Sequence, residues 1–396
     1  MAATILWGIP AGDDFSWDLT YKFKTEDGIY DITGNPVAFA KYSKPTRELK
    51  FSIGAERDDT FSRLSAFLVA GATFVTVPMW FLRTNLLEPV TSGSSYFKVS
   101  SSDELLVGEQ ALFLRTFQPS TCELVTIDSI IEPPVGATVG ATINITSPFV
   151  YDYNPFNMVT VDGDSFDTLS AFVLPTLTGV LDYESVDFID GLPGIGMKAK
   201  IDGGAWQNYN IPAMPSFSNL PMETKYNVPK ITKDLNGVEN GILDLYAYGS
   251  SSRLTFECTW NFKDSDWQTL RDIFFVVRGK ASVLSMPTFM YELGTTRGAD
   301  QGSTTIYLDA GYQYLYQRFP RLIVYNRFDG TQSLITITGH VSEDQFTCEE
   351  LPYEIYGNEK VCFYPYVRFD SDDLTFSFKG LNVCTVKATF IEEPSD

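Results

Sequence analysis

Apolar and polar positions alternate over short runs along most of this chain, and one such run occurs in each half. From Arg47 the sequence reads RELKFSIGAERDDTFSRLSAFLVAGATFVTVPMWF, and from Arg253 it reads RLTFECTWNFKDSDWQTLRDIFFVVRGKASVLSMPTF. Leu49 with Phe51, and Leu254 with Phe256, keep the period of two expected of a strand with one buried face. Asp58 and Asp59, or Asp264 and Ser265, then offer side-chain oxygens to the free N–H groups at the start of a helix. Phe61, Leu64 and Leu68 share one helical face, as do Trp267, Leu270 and Phe274. Gly71 and Gly279 suit the left-handed position that ends a helix. A strand ending in Pro-x-aromatic follows, Pro78 with Trp80 and Pro287 with Phe289.

The likeness extends past this block at a nearly constant offset. GSSYFKVS from Gly93 matches GSTTIYLD from Gly302, LVTIDSI from Leu124 matches LITITGHV from Leu334, and the strand-like runs Leu112 to Leu114 and Leu322 to Val324 lie between them. One amphipathic helix matched by chance would not carry distant blocks with it, so the pattern points to an internally duplicated unit. Each unit reads as strand, helix, strand, a small insert of short strands, and closing strands. The expected fold is mainly β, sandwich-like with α+β character. A first unit spans residues 1–188 with its insert at about 84–150, a Gly/Pro-rich connection spans 189–221, and a second unit spans 222–396 with its insert at about 294–355. A chain of 396 residues is long enough for more than one core.

Composition narrows the function. Thirty Phe and 21 Tyr against 20 % charged residues fit a globular chain rich in half-buried pleated surface. The formal net charge of −21 would repel a phosphate backbone, which excludes stable nucleic-acid binding; it also suits a surface that DNA passes without sticking, although solubility alone accounts for it. The uncharged run from Leu64 to Leu82 has the length of a membrane span, but Gly71 and Pro78 divide it and its counterpart carries Arg271, Asp272, Arg278 and Lys280. It is expected to be a short helix entering a buried strand. The start, MAATILWGIPAGDD, has neither a basic n-region nor a cleavage signature and gives no secretory signal. Five cysteines, Cys122, Cys258, Cys348, Cys362 and Cys384, form no C-x-x-C pair and read as buried small hydrophobes in a reduced compartment.

Chemistry-bearing motifs are weak. His340 is the single histidine, and its counterpart in the first half is Ile130, so a strand histidine is the plainer reading than a catalytic one. GLPGIG, Gly191 to Gly196, lacks the glycine spacing and the Lys-Ser/Thr of a phosphate loop. DGDSFD, Asp162 to Asp167, has three carboxylates but not the glycine and terminal Glu of a helix-loop-helix calcium site. Glu349 with Glu350, and Asp370 with Asp372 and Asp373, read as solvated loop charges. No catalytic residue, cofactor or metal is expected. Trp206 and Tyr209 are candidates for stacking on a sugar, with packing as the plainer role. Arg318, Arg321 and Arg327 cluster in YQRFPRLIVYNRF of an otherwise acidic chain; they fit a subunit interface and fit solvated strand ends equally well.

The recurring block resembles the N-terminal region of bacteriophage distal tail proteins and of the tail proteins of gene transfer agents. Arg47, Phe51, Leu64, Gly71, Pro78 and Trp80 carry the resemblance, echoed by Arg253, Phe256, Leu270, Gly279, Pro287 and Phe289. It implies a virion protein at the tail tip, assembled in the host cytoplasm: a ring of β-sandwich domains joining the tail tube protein to the baseplate hub protein, with DNA passing through and no membrane. Two units per chain depart from the simplest family member, so the ring is a trimer or a hexamer. A peripheral receptor- or carbohydrate-binding tail module is the alternative, and a cell-wall hydrolase a more distant one.

Overall fold

The computed structural model describes residues 4–5, 16–27, 38–41, 45–51, 74–102, 104–114, 122–133, 140–155, 170–181, 187–189, 223–227, 233–236, 244–247, 254–263, 266–326, 328, 332–379 and 383–393. The chain is mainly β. It divides into two compact units, one of Met1–Lys22, Ser43–Lys200 and Thr375–Thr385, the other of Phe23–Tyr42, Ile201–Leu374 and Val386–Asp396.

In the first unit, β1 (Ser16–Lys22) buries Trp17, Leu19 and Tyr21 on one face and pairs antiparallel with β2 (Thr46–Phe51), Leu19 opposite Leu49. Next come β3 (Phe74–Pro78) and an insert with β4 (Tyr96–Val99), β5 (Gln110–Leu114), β6 (Cys122–Ile131) and β7 (Ala141–Ile145). The closing strands are β8 (Ser170–Leu181) and β9 (Asp187–Ile189). The base sheet runs β3–β8–β9–β2–β1, all antiparallel. Twelve-residue β8 serves two sheets, pairing β5 of the insert with its first half and β3 with its second. The insert core is aromatic: Phe113 stands edge-on to Phe97 and Phe149, with ring centroids 4.8 and 4.7 Å away, a geometry that adds about 0.5–1.5 kcal/mol per pair beyond burial.

The second unit repeats this order with β10 (Glu223–Asn227), β11 (Thr255–Lys263), α1 (Asp266–Val277) and β12 (Leu284–Ser285). Its insert holds β13 (Leu293–Gly294), β14 (Thr305–Tyr307), β15 (Arg321–Tyr325), β16 (Gln332–His340), β17 (Gln345–Cys348) and β18 (Lys360–Phe363). The chain then runs through β19 (Tyr366–Phe369), β20 (Asp373–Lys379) and β21 (Val383–Glu393), of which Thr375–Thr385 belong to the first unit and Val386 onward to the second. The base sheet runs β12–β19–β21–β11–β10, strand for strand the order of the first unit. Leu254, Phe256, Cys258, Trp260 and Phe262 point inward in strict alternation, as the period of two requires. Trp267, Leu270 and Phe274 bury the expected face of α1.

The inserts share backbone detail as well as order. Both long strands carry a bulge at the same place, after Ile127 in β6 and after Ile337 in β16. Gly93 and Gly302 both take left-handed φ, +88° and +81°, and donate to Phe149 O at 2.8 Å and Leu351 O at 2.9 Å respectively. Bridges Leu86–Val99 and Thr295–Leu308 correspond, as do Val90–Tyr153 and Ala299–Ile355. In the second insert the sheet order is β13–β18–β15–β16–β17–β14, and the Thr295–Leu308 bridge joins the first strand to the last. A closed sheet leaves no open edge.

Two local features differ from the sequence expectation. The left-handed turn after α1 begins one residue early, at Arg278 (φ 57°), and continues through Gly279 (φ 66°). Gly279 is still required, because a Cβ there would lie 2.8 Å from Asp372 Oδ1 and 3.2 Å from Asp372 Cα. Strand β12 stops at Ser285, before Pro287; Phe289 and Tyr291, both at positive φ, instead turn the chain toward the insert. The expected first helix with Phe61, Leu64, Leu68 and Gly71, and the caps Asp58, Asp59, Asp264 and Ser265, lie outside the described residues. Among the described residues no helix is long and apolar enough to cross a membrane.

Candidate functional site

Two of the three clustered arginines belong to a shallow charged and aromatic cleft in the second unit. Strand β21 alternates inward and outward, and after Phe390 its inward phase falls on Glu392, only 4 % exposed. Arg318 answers this buried carboxylate with a two-pronged contact, Nε to Oε1 at 3.0 Å and Nη2 to Oε2 at 2.6 Å. The backbone N–H of Leu254 also donates to Oε2, at 2.9 Å. Arg321, at the start of β15, holds its guanidinium 4.7 Å from the Tyr364 ring centroid and 4.6 Å from that of Tyr366, and donates to Ser285 Oγ at 3.1 Å. Pro320, Pro365 and Glu393 complete the cleft. Arg318 and Arg321 are thus engaged inside their own chain, whereas Arg327 lies outside the described residues.

A second cluster sits where the chain enters the insert. Tyr291 N donates to Cys362 Sγ at 3.4 Å, and Phe363 N to Glu292 Oε2 at 3.3 Å, pinning the left-handed turn to β18. Glu292 Oε1 is buried with no hydrogen-bond partner among the described residues. Burial pushes the Glu292 carboxyl above its ordinary range, against opposing hydrogen bonds from Thr288 and from backbone. Burial, then the charge of Glu292, pushes the Cys362 thiol up to about 12; burial and Glu349 push Cys348 up to about 11, and burial raises Cys384. Cys258, Cys348, Cys362 and Cys384 are free, buried thiols, with the thiolate disfavoured at the last three.

Other expected positions separate in space or lie outside the described residues. His340 is exposed, its ring stacked 6.0 Å from Tyr316, and Glu349, Glu350, Asp370 and Asp373 are exposed. Asp372 departs from the solvated role expected of it. It accepts the backbone N–H of Thr25 at 2.9 Å, the Thr25 hydroxyl, and the backbone N–H of Lys280 at 3.2 Å, so it is a structural clamp. Trp206, Tyr209, Gly191 to Gly196 and Asp162 to Asp167 lie outside the described residues. Among the described residues no group of three His, Cys, Asp or Glu side chains is placed to hold a metal ion.

Arginine-rich YQRFPR was conspicuous in the sequence, but its partner was missed. The signal was present in the phase of VCTVKATFIEE, which places Glu392 inward as surely as Val386 and Phe390. No protein-family model matches this chain, and no curated protein matches it.

Proposed function

We propose that this chain is a structural protein of a bacteriophage tail tip, forming a ring that joins the tail tube to the baseplate hub, and that it is not an enzyme. The observation that supports this reading is the repetition of one sheet order and one insert bond pattern within a single chain. A chain with two like units offers two like surfaces, so three copies present six to a sixfold tube while keeping a threefold face for a hub. The partners are further copies of the chain, the tube protein and the hub protein. DNA passes without stable binding along a lumen kept acidic by the net charge of −21.

Electron microscopy of the purified protein, with mass measurement, tests the reading. Rings of three or six copies are expected, alone or on addition of tube protein. Monomers that never close into rings, even with tube protein present, overturn it, and a basic or blocked lumen overturns the acidic lining.

One observation favours a second reading, a peripheral glycan- or receptor-binding module: Tyr314 is 82 % exposed in the second insert, near in sequence to the Tyr316 ring stacked on His340. Binding of the purified chain to host glycans, abolished by Tyr314→Ala, distinguishes it.

A further inference from the structure

Three arginines of the second unit line or border the charged cleft, and they do not keep the same company. Arg318 grips Glu392 with its Nε–Nη2 edge, and Arg368 of β19 holds Nε 2.7 Å from Glu393 Oε1. Arg321 has no carboxylate partner among the described residues. Its guanidinium lies over the Tyr364 and Tyr366 rings, and its Nη1 donates to Ser285 Oγ at 3.1 Å. Nε and Nη2 of Arg321 are left without a hydrogen-bond partner among the described residues, and so are the hydroxyls of Tyr364 and Tyr366, which line the same cleft.

We propose that the Nε–Nη2 edge of Arg321 is a binding site for one carboxylate group. Three observations carry this. The edge is the same one by which Arg318 holds Glu392, and its two N–H donors match the two oxygens of a carboxylate. Stacking does not consume it: a ring face answers the charge of a guanidinium but accepts no paired, directed hydrogen bonds, so Tyr364 and Tyr366 steady the group and leave the fork open. The local charge also calls for an acid, because Glu392 and Glu393 are each matched by an arginine of their own, and Arg321 is a cation in excess within a chain of net charge −21. A carboxylate reaches such a fork from either of two sources with one chemistry, a free organic acid or an acidic side chain of a partner protein. The site goes beyond the ring reading and does not rest on it.

Nuclear magnetic resonance of the full-length protein with isotope-labelled arginine is the test. The Arg321 Nε–H signal, assigned by its loss in Arg321→Lys, is followed as glutarate, a free diacid, or hexaglutamate, a peptide of acidic side chains, is added at constant ionic strength. A saturable shift is expected, with a dissociation constant on the order of 1 mM or tighter for one of the two probes. Calorimetry should show binding about tenfold weaker or more in Arg321→Lys, which keeps the charge and loses the fork. Arg297→Met, which removes an exposed arginine of the same unit paired with Asp344, should leave binding unchanged. Glutarate as the tighter probe, per carboxylate, identifies a free acid as the ligand, and hexaglutamate identifies an acidic side chain of a partner. No shift of the Arg321 signal with either probe overturns the site, and so does an equal loss of binding in Arg297→Met. If Arg321→Lys does not fold, contacts with the Tyr364 and Tyr366 ring protons assign the signal in the unaltered protein, and its response to the two probes decides.

Discussion

Arg318 and Glu392 face each other as two parallel forks, 3.0 Å and 2.6 Å apart at their paired atoms, with the carboxylate nearly buried and the guanidinium side chain about one-third exposed. The pair is held from behind by Leu254, whose N–H shares Oε2 and whose carbonyl accepts the N–H of Glu392 at 2.8 Å. A carboxylate at a core phase of a strand is tolerated only with such company.

Removing one fork leaves the other charge without its partner. Arg318→Met is expected to destabilise the second unit by about 2–3 kcal/mol, below the usual loss for a fully buried pair because Arg318 is partly in water. The double change Arg318→Met with Glu392→Leu should cost less than the two single changes added together, since nothing charged is then stranded. Urea unfolding of the four proteins gives the coupling; strictly additive losses would show that the forks act independently.

Asp372 gathers donors from two distant stretches, Thr25 and Lys280, while its own carbonyl accepts the N–H of Phe23 at 2.9 Å. Asp372→Ala should cost about 1–3 kcal/mol, because two backbone N–H groups lose a charged acceptor. The local signature is faster amide exchange over residues 25–27 with little change in the insert of the same unit. Uniform acceleration everywhere would mean that the clamp supports the whole unit.

Strand phase and the helix face of the second half were legible because burial imposes them residue by residue: Phe256 to Phe262 alternate, and Trp267, Leu270 and Phe274 recur at helical spacing. Gly93 and Gly302 stood out only as the starts of matching blocks; the left-handed φ that each takes is visible only in the structure. Pairings made across long separations were not legible. Nothing local in DLTFSFK says that it lies beside β1, and nothing local in DSDD distinguishes Asp372, held by three donors, from the exposed Asp370 and Asp373. The arginine cluster was visible for its contrast of charge, but its partners Glu392, Tyr364 and Tyr366 lie much later in the chain.

The buried thiols give a direct chemical readout. With Cys348 pushed up to about 11 and Cys362 up to about 12, both are almost wholly protonated at pH 8, and burial also blocks access. Iodoacetamide at that pH should leave Cys348, Cys362, Cys258 and Cys384 unmodified in the folded protein and alkylate all four in strong denaturant. Peptide mass spectrometry locates the label. Rapid alkylation of Cys362 without denaturant would mean that β18 and the Tyr291 turn separate readily.

Glu292 should make stability depend on pH in an unusual direction for a carboxyl group. Burial raises its folded value above the unfolded one, so the folded state holds the proton more tightly, and stability falls as pH rises from the ordinary carboxylate range toward the folded value. Below that window the acid is protonated in both states and no penalty exists; above it the full penalty is present. Glu292→Gln keeps the shape and an acceptor for the Phe363 N–H while removing the titration, so its stability relative to wild type should grow through the window and then level off. The gain levels off once the folded carboxyl has ionised, because the substitution removes only the titration. Thermal unfolding of both proteins from pH 4 to 8 measures it, and parallel curves across that range would mean that Glu292 keeps an ordinary acidity in the folded chain.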